Sequence, residues 1–196
     1  TELHQDADLL AVADYSVIPK YMFAQPAHAA WYVGFARNAI TFVYTDKSKG
    51  AKDINGKNWY TVLAQKGVEI GRSNPDTDPS GYQTVQMLNL ANTFYNDPKI
   101  EDAVLANAPL SNVRDTETSL ISALQLGQLD YLAIYRSDAL QHHLKFIEMP
   151  NKIDLSDPAQ SAYYQQGVAH TKNGDLKGKP IVYAITMVTG SKNADM

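Results

Sequence analysis

Gly71-Arg72-Ser73-Asn74-Pro75-Asp76-Thr77-Asp78-Pro79-Ser80-Gly81-Tyr82 carries the chain out of a short strand and into a helix. Behind it, residues 68–71 read as the strand. Ahead of it, Val85, Leu88, Ala91 and Phe94 recur at helical spacing, so a helix is predicted over residues 80–95 with these four as its buried stripe. Asp78 stands where an N-cap belongs, and Pro79 takes the first helical position, where a missing N–H costs nothing. The amides of Ser80, Gly81 and Tyr82 are then expected to be unpaired, and Gly81 has no side chain to keep a ligand away. Such a start suits a compact anion held by backbone donors and the positive end of the helix dipole. The same residues also suit an ordinary capped turn, because Asp-Pro is a common helix opening.

Two more openings share this character. Asp115-Thr116-Glu117-Thr118-Ser119-Leu120 crowds hydroxyl and acidic residues into a first turn. At Tyr135-Arg136-Ser137-Asp138 a strand ends, Ser137 is placed to cap a helix, and Tyr135 offers a phenolic donor. Three helix starts would then follow strands of one sheet, and ligands of open α/β sheets bind outside the carboxyl ends of the strands.

The rest of the chain alternates in the same way, which predicts an α/β protein with a largely parallel sheet. Strands are expected over residues 9–12 and 39–44. The polar run at residues 46–53 is expected to be a solvated connection and a candidate lobe boundary. A short helix over 59–64 precedes the segment quoted above. A helix over 118–125 is expected to stop at Gly127, in the left-handed conformation that closes helices. A strand over 129–135, a short helix over 138–143, a strand over 145–149, a polar loop and a last strand over 181–188 complete the pattern.

Composition removes several function classes. The chain has 196 residues, 44% of them hydrophobic, which is enough for one large domain or two small lobes. A net charge of -4 with no basic stripe argues against a nucleic-acid partner. The absence of cysteine excludes disulfides, thiolate metal sites and cysteine nucleophiles. No apolar run is long enough to span a membrane. His4, His28 and His170 are scattered, and His142 and His143 point in different directions on a helix, so no metal site is expected. A nucleophile elbow, a phosphate-binding loop and a dinucleotide fingerprint are all missing. Trp31, Tyr32, Trp59 and Tyr60 are expected to be packing aromatics.

Several stretches together resemble the tungstate/molybdate-binding family of ABC importers. They include Ala7-Asp8-Leu9-Leu10-Ala11-Val12-Ala13-Asp14-Tyr15-Ser16, Trp31-Tyr32-Val33-Gly34-Phe35-Ala36-Arg37-Asn38, Ser73 through Tyr82, Glu117 with Thr118, Tyr135-Arg136-Ser137, Gln141-His142, and Gly178-Lys179-Pro180-Ile181-Val182-Tyr183. The likeness spans nearly the whole chain. It implies a two-lobed periplasmic-binding-protein fold of type II that closes on its ligand by hinge bending. Residues 1–44 would be part of the first lobe and a hinge, 45–144 the second lobe, and 145–196 the return hinge and the rest of a first lobe that lacks its early strand and two serine-bearing loops.

The resemblance further implies a non-enzymatic receptor that carries no cofactor and holds tungstate or molybdate. Asp78 and Glu117 would give carboxylate oxygens to the tungsten or molybdenum centre, a hard cation that prefers oxygen. The amides around Ser80 and Thr118, with Tyr135, would bind the oxyanion. The receptor would work outside the cytoplasm as a monomer, with a membrane permease as partner and with a lipid-modified cysteine upstream as its anchor. Rival readings are the effector-binding half of a transcription regulator, a receptor for sulfate, and an enzyme using Asp78 and Glu117 as an acid/base pair.

Overall fold

A computed structural model describes residues 7–114, 117–191 and 193. In chain order the strands are β1 (Leu9–Val12), β2 (Val33–Arg37), β3 (Ile40–Tyr44), β4 (Ile70–Ser73), β5 (Val113–Arg114), β6 (Tyr131–Tyr135), β7 (Lys145–Phe146), β8 (Val168–Thr171), β9 (Gly174–Lys177) and β10 (Val182–Met187). The α-helices are α1 (Trp59–Leu63), α2 (Pro79–Phe94), α3 (Ile100–Ala106), α4 (Glu117–Gln125), α5 (Arg136–Gln141) and α6 (Ser161–Tyr164). The chain divides into two compact units, one of residues 1–38 with 181–196, the other of residues 39–180.

The first unit is built on a three-stranded antiparallel sheet in the order β1-β10-β2. Leu9 faces Met187 and Arg37 faces Val182, so β10 supplies the partner for both other strands. Its small core gathers Ile18, Met22, Ala29 and Ala184 under Leu10, Val12, Tyr15, Phe23 and Val188. β2 is exposed along its whole length, which alternation of apolar and polar residues does not disclose. Trp31 is 48% exposed, so the expectation that it packs inside fails, whereas Trp59 in the other unit is fully buried.

The second unit holds a five-stranded sheet in the order β5-β4-β6-β3-β7. β4 runs parallel to β5 and β6, while β3 is antiparallel to both β6 and β7, so β3 alone opposes the other four. The expected largely parallel sheet is therefore present with one reversed strand. β6 is buried at all five positions, as its unbroken run Tyr-Leu-Ala-Ile-Tyr requires of a strand covered on both faces. On one face Val43, Leu132 and Ile134 pack with Leu120, Ile121 and Leu124 of α4 and Ala139 of α5. On the other, Phe42 stacks on Trp59 with ring centroids 5.7 Å apart, and α2 lies across β3, β4 and β6.

α2 departs from the predicted stripe. Leu88 and Ala91 are fully buried, but Val85 is only half-buried and Phe94 is 38% exposed, while Ser80, Gln83, Thr84 and Gln86 are buried instead. The helix is enclosed by the sheet, by α3 and by the β8–β9 hairpin, so one apolar stripe is not enough to describe its surroundings. Gly127 does close α4 in the left-handed conformation, with φ +74. The run at residues 46–53 is not a boundary. Lys49 donates through its amide to Asp130 Oδ1 at 3.0 Å and through Nζ to Oδ2 at 3.0 Å, which stitches the turn to the start of β6. Residues 44 and 144 both lie inside the second unit, because β3 and β7 pair with each other and β3 pairs with β6. The expected polar loop after residue 149 contains a 3-10 turn at Pro158–Gln160, α6 and the β8–β9 hairpin.

Candidate functional site

Three connections leave the same edge of the second unit's sheet. β5, β4 and β6 are adjacent and parallel, and they are followed by α4, α2 and α5 respectively, so the three helix starts line up at the carboxyl ends of neighbouring strands.

The first is the most completely built. Asp78 is the N-cap of α2, and its Oδ1 accepts from Ser80 N at 2.8 Å and Ser80 Oγ at 2.6 Å. Its Oδ2 accepts nothing from the described residues. The expected unpaired amides are not found: Ser80 N serves the cap, while Gly81 N and Tyr82 N both donate to Asp78 O, at 3.1 and 3.3 Å. The cap and first turn close on themselves, which leaves Asp78 Oδ2 without a donor among the described residues. Gly81 is needed for a reason the sequence did not show. A Cβ there would lie 2.6 Å from Asn74 C and 2.7 Å from Asn74 O, because the entry loop folds back over the first turn.

The second start begins at Glu117; Asp115 and Thr116, part of the expected capping segment, lie outside the described residues. Glu117 is half-buried and accepts no hydrogen bond from the described residues. Burial, then the charges of Asp138 and Asp78, push its carboxyl up to about 7. Thr118 follows on the exposed side of the same turn, its carbonyl accepting from Ser122 Oγ at 2.9 Å.

The third start differs from expectation. β6 runs directly into α5 with Tyr135 as the N-cap in extended conformation, so Ser137 lies inside the helix and does not cap it. Tyr135 is buried, and its hydroxyl donates to Gln83 Oε1 at 2.8 Å, tying β6 to the second turn of α2. Asp138, in the first turn of α5, is also raised by burial, an effect that His142 and its own backbone partly offset.

Asp78, Ser80, Glu117 and Tyr135 are thus brought to one edge, with Thr118 beside Glu117. Sequence reasoning missed Asp138 as a member of this group and Gln83 as the partner of Tyr135. The charges of Asp138 and Asp78 act on Glu117, an arrangement that disfavours its own ionised form. A hard positive centre entering between Asp78 and Glu117 would reverse that penalty. Among the described residues, no group of three or more His, Cys, Asp or Glu side chains is placed to hold a metal ion. Arg72, two residues before Asn74, has Nε and Nη1 buried without a partner among the described residues, and burial lowers its pKa.

Comparison with known proteins adds three findings. The family model described as bacterial extracellular solute-binding protein matches residues 2–196. A molybdate/tungstate-binding protein WtpA of Pyrococcus abyssi is 37% identical over 220 residues, covering 100% of this chain and 63% of the relative, and a solute-binding protein of Petrotoga mobilis is 36% identical over 199 residues, covering 98% and 61%. The chain therefore spans about three-fifths of the length of these curated relatives. Among solved structures, the periplasmic molybdate-binding protein of Azotobacter vinelandii matches with a TM-score of 0.61 at 17% identity, covering 98% of this chain and 69% of that one.

Proposed function

We propose, from the premise that this chain belongs to the family of bacterial extracellular solute-binding proteins, that it forms most of a receptor for tungstate or molybdate. The receptor captures the oxyanion outside the cytoplasm and delivers it to the permease of an ABC importer. It is a carrier and not a catalyst. No helix among the described residues is long and apolar enough to cross a membrane.

The observation that carries this reading is the placing of Asp78 and Glu117 at neighbouring helix starts, where the charge of Asp78 acts on Glu117. Two carboxylates repel sulfate, whose sulfur is closed to further ligands. Tungsten(VI) and molybdenum(VI) are larger, hard centres that accept additional oxygen donors, so the same carboxylates become ligands. Asp78 Oδ2 and the Glu117 carboxylate are the donors to the centre; the Ser80 amide and the Tyr135 hydroxyl, engaged by Asp78 and Gln83 in this structure, exchange those bonds for the oxyanion's own oxygens, which the helix start at Thr118 also receives. The name of the Pyrococcus relative supports the ligand class.

Calorimetric titration of the chain with tungstate, molybdate and sulfate tests this. Tungstate or molybdate is expected to bind at least about 100-fold more tightly than sulfate, a gap that needs both coordination bonds together. Equal affinities for the three would remove the coordination argument.

The ionisation of Glu117 sets the pH dependence. Coordination needs the carboxylate, so with the group pushed up to about 7, tungstate affinity is expected to fall about tenfold between pH 8 and pH 6. Stability runs the other way. The folded chain holds this proton more firmly than the unfolded chain, so its contribution is undiminished below the ordinary value of 4.5 and is lost as pH rises toward about 7. Titrations across pH 6 to 8 and thermal melts across pH 4.5 to 8, with Glu117→Gln as the control lacking the group, read both slopes. A pH-independent affinity in the parent chain would show that Glu117 does not meet the ligand.

A further inference from the structure

The β8–β9 hairpin lies outside the five-stranded sheet and contributes none of the residues assigned to ligand. It is nevertheless fastened to α2 and to the loop that enters it. Near its base, Val168 N donates to Asn89 Oδ1 at 3.2 Å and Gln86 Nε2 donates to Leu176 O at 2.9 Å. Gly167, one residue earlier, approaches α2 so closely that a Cβ would lie 2.7 Å from Leu90 Cγ and 2.8 Å from Gln86 O. At its tip, the Lys172 amide donates to Asp76 Oδ1 at 2.9 Å, with Lys172 Nζ 3.5 Å from Oδ2.

These two attachments sit at opposite ends of the first half of α2. Four-residue strands reach roughly 13 Å. The helix from its first residue to Gln86 rises roughly 10 Å, and Asp76 lies just before that. The hairpin is therefore long enough to run alongside this half-helix and grip its entry loop.

The grip is passed on. Asp76 N donates to Asn74 Oδ1 at 3.0 Å, and Asn74 O accepts from Thr77 N at 3.2 Å and Asp78 N at 2.9 Å. Asp76 is thus connected through Asn74 to the residue whose carboxylate faces the ligand position. Among the described residues the loop pairs with no strand, so these bonds, its packing on the first turn of α2 and the hairpin tip are what hold it. The Lys172 side chain is 84% exposed and adds little, which leaves the main-chain amide as the effective donor.

We propose that the β8–β9 hairpin is a brace that sets the place of the Asn74 to Asp78 loop, with Asp76 as a positioning residue for the oxyanion site. The proposal rests on the functional reading above. It requires an acceptor at position 76 and not a charge, which separates it from simple electrostatics.

Three variants of the chain test it by tungstate titration and by amide hydrogen exchange. Asp76→Ala is expected to weaken tungstate binding about tenfold and to speed exchange at the amides of Asp78 and Ser80, while those of β6 stay protected. Asp76→Asn keeps an acceptor oxygen, and Lys172→Ala keeps the donor amide, so both should stay within about twofold of the parent. If the parent binds tungstate, an unchanged affinity in Asp76→Ala overturns the brace, as does an Asn variant as weak as the Ala variant. If the parent does not bind tungstate, the functional reading falls separately, and exchange alone then decides: faster at Asp78 and Ser80 in Asp76→Ala supports the brace, unchanged rates overturn it.

Discussion

Replacing Glu117 with alanine is expected to erase the preference for tungstate over sulfate and leave the chain folded, with a melting temperature at pH 8 equal to or above the parent's. Glu117 accepts no hydrogen bond from the described residues, and burial with the nearby charges of Asp138 and Asp78 already opposes its ionisation. Its removal takes away an unfavourable charge and little packing. Tungstate loses one of two coordinating oxygens, for which about 100-fold in affinity is a conservative figure, and sulfate loses nothing. Asp78 gives a sharper control because it has two jobs. Asp78→Ala should weaken tungstate similarly and also destabilise the chain by about 1 kcal/mol through the lost cap. Asp78→Ser restores a capping oxygen without the second carboxylate oxygen, so it should recover the melting temperature and not the selectivity. Melting curves paired with competition titrations separate these outcomes; preserved selectivity in both alanine variants would mean that neither carboxylate touches the ligand.

The second large effect is expected at Gly81. Helix propensity alone favours alanine there by about 1 kcal/mol. The space does not: the added Cβ would stand 2.6 Å from Asn74 C, 2.7 Å from Asn74 O and 2.8 Å from Pro75 N. All three are backbone atoms of the peptide bond between Asn74 and Pro75, so no side chain can swing aside. Gly81→Ala should therefore lower stability by about 1–3 kcal/mol, as overpacking does, and push the entry loop away from the helix. Since that loop carries Asp78, tungstate affinity should fall in the same variant. A Gly81→Ala chain that melts at or above the parent's temperature would show that the loop relaxes freely, and the tight first turn would lose its importance.

Much of this edge was legible in the residues themselves. Asp78-Pro79 announces a capped helix, and β6 and β3 announce buried strands through unbroken apolar runs. Gly127 announces a helix end. These signals are local, and local chemistry decides them. What escaped is decided across the chain. The β8–β9 hairpin is written mostly in polar residues and is held by α2 and its entry loop, so no alternation marks it. α3 has Lys99 as an N-cap that makes no side-chain cap bond and runs for 7 residues from Ile100, too short for periodicity to stand out. Asp138 joins Glu117 only because β5 and β6 flank β4, a fact of strand order that no single segment contains. The occupied amides of Ser80 and Gly81 were likewise hidden, since one depends on the rotamer of Asp78 and the other on a tightened first turn that closes on the Asp78 carbonyl.

Strand order in the first unit has a consequence for how the molecule is made. β1 and β2 do not pair with each other; each waits for β10, whose first residue pairs with Arg37 from position 182, 145 residues later. A ribosome working at roughly 5–20 residues per second needs on the order of ten seconds to cover that distance. Throughout that delay Ile18, Met22 and Ala29, buried in the folded unit, lack Ala184 of β10, while the strands of the five-stranded sheet are all made by residue 146. Holdase protection early in translation, released once the last strand emerges, is the handling that such an order of synthesis calls for.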